Sequence, residues 1–163
     1  MAFHKLVLDD DLSEDLAVIA IHCSEEAYKM AYLLNRFLQL RLERKPVDLD
    51  YSNEGLEVTF PIFEYTNEFK YSTYYLVANK CRSISAQLQS SGGLFDEQED
   101  EKVVWTYLLP EFRNVDFLLK IDCDRENVPL RGLTADINEI QEVISAYPLD
   151  ADNIRSKTNL IFD

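Results

Sequence analysis

Hydrophobic residues follow two different patterns in the first part of the chain. Residues 16–22, LAVIAIH, are apolar or β-branched at successive positions, which is typical of a strand buried on both faces. Residues 24–38 instead place apolar side chains at i, i+3 and i+4 spacing, which predicts a helix with only a narrow polar face. Ser24 is positioned to cap this helix, and Glu25 and Glu26 would lie in its first turn, where carboxylates suit the helix dipole.

Alternation of apolar and polar residues with a period of two predicts further strands. Pro61 lies inside one of these segments and should mark a sheet edge or a bulge, because proline donates no backbone hydrogen bond. The predicted strands are residues 39–45, 56–65, 71–79, 102–109 and 115–122.

A second helix is predicted over about residues 134–145. Thr134 would be its N-cap, and Ile137, Ile140 and Ile144 would form a buried stripe at i, i+3 and i+7. A last extended segment is expected around residues 146–149.

A polar stretch interrupts these patterns between residues 82 and 101. It contains SSGG, which breaks regular structure, and DEQEDE, which is strongly acidic. We expect a solvated loop here, with a short helical turn near residues 84–88 and with Leu94 and Phe95 packed onto the core.

The order of these elements predicts the fold class. A run of strands joined by short connections favours antiparallel pairing, and two helices must cover an apolar sheet face. We therefore expect an α+β fold with a predominantly antiparallel sheet of about six strands. The helices, about 24–38 and 134–145, should pack on one face, and residues 1–163 should form a single domain.

Charge and cysteine content limit the binding partners and the cellular compartment that we expect for this protein. Acidic residues outnumber Lys and Arg by 30 to 16, and a net charge of −14 disfavours binding to nucleic acid or to an anionic membrane. A nucleic-acid site would need basic residues on one face. The sequence has no signal peptide or long apolar run and three widely spaced cysteines, which predicts a cytoplasmic protein without disulfides. The basic residues that could form such a nucleic-acid site are Lys80, Arg82, Lys102 and Arg113.

Known catalytic and metal motifs are missing from the sequence. His22 and Cys23 are adjacent, but no zinc-ligand spacing surrounds them, and residues 48–59 lack the glycine and the last glutamate of a calcium loop. No nucleophile elbow, phosphate loop or dinucleotide motif is present. We expect no metal and no cofactor.

Residues 108–117, LLPEFRNVDF, are the exception, because they place two carboxylates close together in the sequence. Glu111 and Asp116 could bind a cation or act as an acid–base pair. Alternatively, Pro110 ends one strand and the segment is the corner of a hairpin between residues 102–109 and 115–122, with Glu111 bound to Arg113 or Lys120. We favour the structural interpretation.

The same segment resembles the signature of the bacterial IPExxxVDY family. Pro110, Glu111, Val115 and Asp116 match it, whereas Leu109 replaces an isoleucine and Phe117 a tyrosine. HKLVLDD near the start, SGGLF in the middle and SKTNLIF near the end extend the resemblance over the whole chain. The resemblance implies a short cytoplasmic bacterial protein and no particular activity.

Aromatic residues suggest how such a protein could act. Tyrosine is enriched at interfaces, although it is also a common strand residue in sheets. The tyrosine content, together with a helix that has only a narrow polar face, predicts a non-enzymatic protein–protein interaction or regulatory domain. Such a domain would bind another protein or form a homodimer. The alternative is a small-molecule- or metal-binding enzyme that uses Glu111, Asp116 and His22. The candidate interface residues are Tyr28, Tyr32, Tyr71, Tyr74 and Tyr75.

Overall fold

A computed structural model describes residues 16–53, 56–86, 101–123 and 129–162. It is an α+β fold, as predicted, built on a six-stranded antiparallel sheet of order β10-β1-β9-β6-β5-β2 and on the two-stranded sheets β3-β4 and β7-β8. The helices are α1 (Ala27–Leu38) and α2 (Leu130–Asn138). The strands are β1 (Ala17–Cys23), β2 (Glu43–Arg44), β3 (Leu49–Asn53), β4 (Leu56–Phe60), β5 (Ile62–Asn67), β6 (Ser72–Ala78), β7 (Lys80–Ala86), β8 (Glu101–Tyr107), β9 (Phe117–Cys123) and β10 (Val143–Leu149).

Strand β1 lies inside the main sheet between β10 and β9. Ile19 pairs with Pro148 on one side and with Leu119 on the other, and Ile19, Ala20 and Ile21 are fully buried. Both faces of the strand are covered, which explains why its apolar residues do not alternate with polar ones.

Both helices pack on the same face of the sheet, as predicted. Met30 and Leu34 of α1 and Ile137 of α2 join the side chains of Ile21 and Leu119 in one core. These five residues are buried. None of the helices in the described parts of the chain is long and apolar enough to cross a membrane.

The opposite face of the sheet is covered by a hairpin and by two segments outside the sheets, a layer that the sequence did not predict. Val18, Ala20 and Leu118 of the sheet contact residues of the β3–β4 hairpin, of the segment after β8 and of the C-terminal segment. The contributing residues from those segments are Val58, Phe60, Leu108, Leu109, Val115, Ile154, Leu160 and Phe162.

The predicted helix ends are wrong in detail. Helix α1 begins at Ala27 after Glu26, which makes no side-chain capping bond, so Ser24 is not the cap. Helix α2 begins at Leu130, because Pro129 precedes it at a position where its missing N–H is harmless. Thr134 therefore lies inside the helix, where its hydroxyl donates to the carbonyl of Leu130 at 2.6 Å.

The predicted stripe of α2 also ends too late. The helix stops at Asn138, and Ile144 belongs to β10, where its side chain is 72% exposed. Ile137 and Ile140 are buried as predicted.

Two predicted strands differ from the observed ones. Pro61 divides residues 56–65 into β4 and β5, which belong to different sheets, because the proline cannot continue the ladder. Of residues 39–45 only Glu43 and Arg44 pair in the sheet. Just before them, the side-chain amide of Asn35 binds both the N–H and the carbonyl of Leu42. These two backbone groups therefore take no part in strand pairing.

The polar loop predicted at 82–101 is wrong at both ends. Residues 80–86 form β7, which pairs with β8 from Lys80↔Tyr107 to Ala86↔Glu101, so a helical turn does not begin at residue 84. Residues 87–100, including Leu94, Phe95 and the SGGLF stretch, lie outside the described residues, as does HKLVLDD near the start.

Candidate functional site

The segment 108–116 is not the hairpin corner that we predicted. Strand β8 pairs with β7, and β9 pairs with β1 and β6, so the segment connects two different sheets. Pro110 starts a single 3-10 turn, Pro110–Phe112, a first-turn position at which proline loses no helical hydrogen bond. We call residues 108–116 the corner.

Asn79, at the β6–β7 junction, is the central residue of the corner. Its side chain is fully buried. Its Nδ2 donates to the carbonyls of Phe112 at 2.8 Å and Val115 at 3.0 Å, and its Oδ1 accepts from the N–H of Leu109 at 2.8 Å. Its backbone carbonyl also accepts from the N–H of Leu108 at 2.8 Å. One asparagine thus binds these four backbone groups of the irregular corner, and only the Phe112 carbonyl among them has another backbone partner, the N–H of Val115.

Glu111 joins the corner to the C-terminal segment. Its Oε1 accepts from the backbone N–H groups of Arg155 and Ser156, both at 2.9 Å, and its Oε2 accepts from the Ser156 hydroxyl at 3.0 Å. Burial alone would raise the pKa of Glu111, but these hydrogen bonds outweigh burial and lower the pKa below its ordinary value. The carboxylate therefore stays ionised and holds the segment that carries Leu160 and Phe162 against the sheet.

Asp116 joins the corner to the main sheet on the other side. Its Oδ2 accepts from the N–H of Cys23 at 2.9 Å, and its Oδ1 accepts from Lys80 Nζ at 2.9 Å. Lys120, which we predicted as a possible partner of Glu111, instead pairs with Asp122 at 3.2 Å. The Asp116–Lys80 ion pair is partly exposed. We therefore expect it to orient the two side chains and to add little to the free energy of unfolding.

The two carboxylates of the motif therefore attach the corner to two different parts of the protein. Glu111 binds the C-terminal segment, and Asp116 binds the main sheet. No hydrogen bond or ion pair among the described residues joins Glu111 to Asp116, and Arg113 lies over the Tyr107 ring at 5.6 Å instead of binding Glu111. A cation held by both carboxylates would have to displace Lys80 and the donors of Ser156. The geometry favours the structural interpretation of the motif over the two-carboxylate site.

The other motif residues divide between the two faces of the sheet. Val115 is buried on the face opposite the helices, and Phe117 is buried among the helix-side residues. Pro110 is exposed. Phe117, where the resembled family has tyrosine, is thus a ring-packing residue in this chain.

His22 and Cys23 do not form a catalytic pair. His22 Nε2 is hydrogen-bonded to the Tyr147 hydroxyl at 2.9 Å, whereas the Cys23 thiol donates to the carbonyl of Glu142 at 3.3 Å. Burial raises the pKa of the Cys23 thiol, and nearby carboxylates raise it further, so the thiol is a poor nucleophile at neutral pH. Within the described residues no group of three or more His, Cys, Asp or Glu side chains could hold a metal ion.

The five candidate interface tyrosines do not form one surface. Tyr28 and Tyr32 are exposed on α1, and Tyr71 is exposed in the turn before β6, with a φ of 49°. Tyr74 is a core residue, 7% exposed and stacked on Tyr65, which corrects its assignment to an interface. Tyr75 is half-buried against the ring of Phe162.

A scan against protein-family models, a search of the curated proteins and a search of the solved structures each gave no match. The resemblance to the IPExxxVDY family therefore stays a prediction from the sequence pattern.

Sequence reasoning missed Asn79 and the C-terminal donors Ser156 and Asn159. Asn159 Nδ2 donates to the carbonyl of Leu108 at 2.8 Å, across 51 residues of sequence. A polar residue at the end of a strand is usual in a turn, so nothing local marks Asn79 as buried. The tail SKTNLIF, residues 156–162, supported the family resemblance, but nothing in it indicated that Ser156 and Asn159 bind the corner.

Proposed function

We propose that the protein is a non-enzymatic protein-interaction domain and that its first partner is a second copy of itself. The observation that carries this proposal is the outer face of α1, where Tyr28 and Tyr32 are 65% and 57% exposed. Neither tyrosine side chain has a hydrogen bond or ring contact with another described residue. Exposed aromatic residues beside arginine are typical of protein interfaces, where they supply much of the binding energy.

Helical geometry makes this face suitable for a symmetric contact. Tyr28, Tyr32 and Arg36 follow each other at i, i+4 spacing on the side opposite the buried residues Met30 and Leu34. If two copies of α1 pack antiparallel about a twofold axis at Tyr32, then Tyr32 meets its own copy and Tyr28 meets Arg36 of the other chain. Each tyrosine–arginine contact is a cation–π pair, and two form at once.

The expected dimer is weak and depends on ionic strength. One helix pair covers less area than the roughly 1,200 Å² at which stable interfaces begin, which is typical of transient association. The net charge of −14 repels a second copy, and salt screens that repulsion. Helix α1 itself carries Lys29 and Arg36 and no acidic residue, and Lys29 pairs with Glu25 just before the helix, so α1 adds no negative charge of its own to this repulsion.

The remaining parts of the proposal concern location and partners. We infer a cytoplasmic protein, because Cys23, Cys81 and Cys123 are all free thiols. We infer a regulatory role from the interaction face proposed on α1. We infer no affinity for nucleic acid and none for anionic membranes, because the net charge would oppose both.

Light scattering over a concentration series tests the dimer. We expect the average mass of the wild-type protein to rise with concentration toward that of a dimer, and to do so more readily at higher salt. Tyr32→Lys should remain monomeric, because lysine suits the helix but places like charges at the twofold axis.

Phe69→Lys is the matched control, since Phe69 is 97% exposed in the turn after β5 and lies away from α1. It should dimerise like the wild type. A wild-type protein that stays monomeric at every concentration and salt, or a Tyr32→Lys variant that dimerises normally, would contradict the proposal.

A further inference from the structure

The two-stranded sheet formed by β7 and β8, which we call the ribbon, has an inner and an outer face. On the inner face Thr106 is 1% exposed, and the Cys81 thiol contacts the carbonyl of Thr59 at 3.7 Å. Residues directly opposite in the register share a face, so Arg82 and Trp105 lie together on the outer face, followed by Lys80 with Tyr107. The ribbon thus attaches to the protein through one face and leaves the other open.

The outer face carries large apolar side chains that the rest of the described protein does not cover. Trp105 is 51% exposed and Val103 is 40% exposed. The Trp105 side chain has no ring contact or hydrogen bond with any other described residue. A half-exposed tryptophan next to an exposed valine is unfavourable in water and favours a partner that covers both.

Positive charge gathers around these apolar side chains. Arg82 lies opposite Trp105 and has no ion-pair partner among the described residues. The guanidinium of Arg113 lies 5.6 Å from the centre of the Tyr107 ring, also without an acidic partner in the described chain. Lys80, by contrast, is already paired with Asp116. On a chain with a net charge of −14 these two arginines are a local exception.

We propose that the outer face of the ribbon binds an extended segment of another protein that combines acidic and apolar side chains. Carboxylates of the segment pair with Arg82 and Arg113, since a guanidinium group can donate two parallel hydrogen bonds to one carboxylate. Its apolar side chains cover Trp105 and Val103. This surface uses none of the residues of the α1 dimer, so either proposal can fail without the other.

Other occupants fit the charges less well. A single-stranded nucleic acid would stack on Trp105 and Tyr107, but its phosphates would meet the field of the whole acidic chain with Lys80 already neutralised. The side chain of Lys102 lies outside the described residues. A second copy of the chain brings the same net negative charge, whereas a short acidic peptide brings only a few carboxylates.

Trp105 is the only tryptophan in the chain, so its fluorescence reports on this surface alone. The experiment titrates the full chain with a synthetic peptide of alternating Glu and Leu, with the same peptide carrying Lys for Glu, and with single-stranded oligouridylate. We expect the Glu–Leu peptide to shift the Trp105 emission to shorter wavelength as water leaves the ring. Raising the salt concentration should weaken this binding, and the Lys–Leu peptide should have no effect.

Charge-reversal variants locate the binding. Arg82→Glu and Arg113→Glu should each weaken the Glu–Leu peptide on the order of tenfold or more, because each loses a charge-assisted hydrogen bond and adds repulsion. Arg131→Glu is the matched control: Arg131 is exposed on α2, and the variant changes net charge equally, so binding should stay within about twofold. Near-ultraviolet circular dichroism confirms that each variant is folded.

The proposal is overturned if no peptide changes the Trp105 emission, or if the Lys–Leu peptide binds as well as the Glu–Leu peptide. It is overturned equally if Arg131→Glu weakens binding as much as Arg82→Glu, because net charge alone would then explain the effect. Oligouridylate that binds as tightly as the Glu–Leu peptide, or more tightly, would assign the surface to nucleic acid instead. Loss of the response in Tyr32→Lys would overturn the independence of the two surfaces.

Discussion

The side-chain oxygen of Asn79 accepts a hydrogen bond from the backbone N–H of Leu109 at 2.8 Å, although 30 residues separate them in the sequence. Asn79 is fully buried, and its amide nitrogen reaches two further carbonyls of the corner. Asn79 lies at the β6–β7 junction and therefore fixes the irregular backbone of the corner from a different part of the chain. We expect the shape of the corner to depend on Asn79 more than on Glu111 and Asp116.

Replacing Asn79 with alanine should strongly destabilise the protein. The substitution leaves the Leu109 N–H and the Val115 carbonyl buried without their partner, and each such group costs about 1–3 kcal/mol. It also removes one of the two donors to the Phe112 carbonyl, which keeps the N–H of Val115. We expect a loss of about 3 kcal/mol or more in the free energy of unfolding, measured by urea denaturation. Asn114→Ala, an exposed asparagine in the same corner, is the control and should change stability by less than about 0.5 kcal/mol.

Glu111→Gln should loosen the C-terminal segment in a pH-dependent way. The pKa of Glu111 is lowered in the folded protein, so its ionised form contributes stability that is fully present above the ordinary value of 4.5. That contribution disappears as the pH falls through the lower folded value. At neutral pH we expect Glu111→Gln to cost about 1–2 kcal/mol, since charge-assisted bonds are lost from a partly exposed site.

The test is the difference in unfolding free energy between wild type and Glu111→Gln as a function of pH. This difference should be constant near neutral pH and shrink as the pH falls below about 4.5. Glu139→Gln, an exposed glutamate at the end of α2, is the control and should show no comparable loss. A Glu111→Gln difference that grows on acidification would mean that the carboxylate is destabilising in the fold.

Asn138 should protect the outer edge of the main sheet. Its side-chain amide binds the N–H and the carbonyl of Ala146 at 2.8 and 2.9 Å on edge strand β10, and Pro148 in the same strand has no N–H to offer. An unpaired edge favours strand addition by other chains. We expect Asn138→Ala to lose about 1–2 kcal/mol and to aggregate faster on heating, measured by turbidity. Asn153→Ala, at an exposed asparagine, should behave like the wild type.

Cys23 should resist alkylation in the folded protein. It is 2% exposed, and burial raises the pKa of its thiol, so little thiolate forms at neutral pH. Burial also raises the pKa of Cys81. We expect iodoacetamide to modify Cys23 only after denaturation, as read by mass spectrometry of peptides. Rapid labelling of Cys23 in the folded state would show that the thiol is activated and would reopen a catalytic function for it.

The sequence predicted those elements whose patterns are local. Strand β1 buries a continuous run of apolar residues, and helix α1 buries apolar residues at helical spacing. Both patterns can be recognised in the sequence without knowing which elements pack against them. Strand β7 was missed because KCRSISA is mostly polar, and its position depends on pairing with β8, from which residues 87–100 separate it in the sequence. The second layer on the sheet was missed for the same reason, since it is assembled from the β3–β4 hairpin, the corner and the C-terminal segment, which are distant in the sequence.

The corner shows the same limit. Local reasoning identified Pro110 as the end of a strand and Glu111 as a hydrogen-bonded carboxylate, but it chose partners nearby in sequence. The true partners of Glu111 are Arg155 and Ser156, and that of Asp116 is Lys80, which no periodicity can indicate. Interfaces were harder still, because Tyr74 and Tyr28 are the same residue type and only tertiary packing separates them.

Disulfide trapping at α1 tests the proposed twofold dimer most directly. Helix axes about 8–10 Å apart bring facing Cα atoms to roughly 4–5 Å, which is within reach of a disulfide. In a background with Cys81→Ser and Cys123→Ser, Tyr32→Cys should form a cross-linked dimer under mild oxidation. Tyr28→Cys or Arg36→Cys alone should not, whereas their mixture should.

Phe69→Cys, at a fully exposed position away from α1, measures random collision. The account predicts that Tyr32→Cys dimerises well above this level and that the mixed pair of Tyr28→Cys with Arg36→Cys does so as well. Cross-linking of Tyr32→Cys no faster than that of Phe69→Cys would contradict the twofold contact at Tyr32 and with it the proposed self-association.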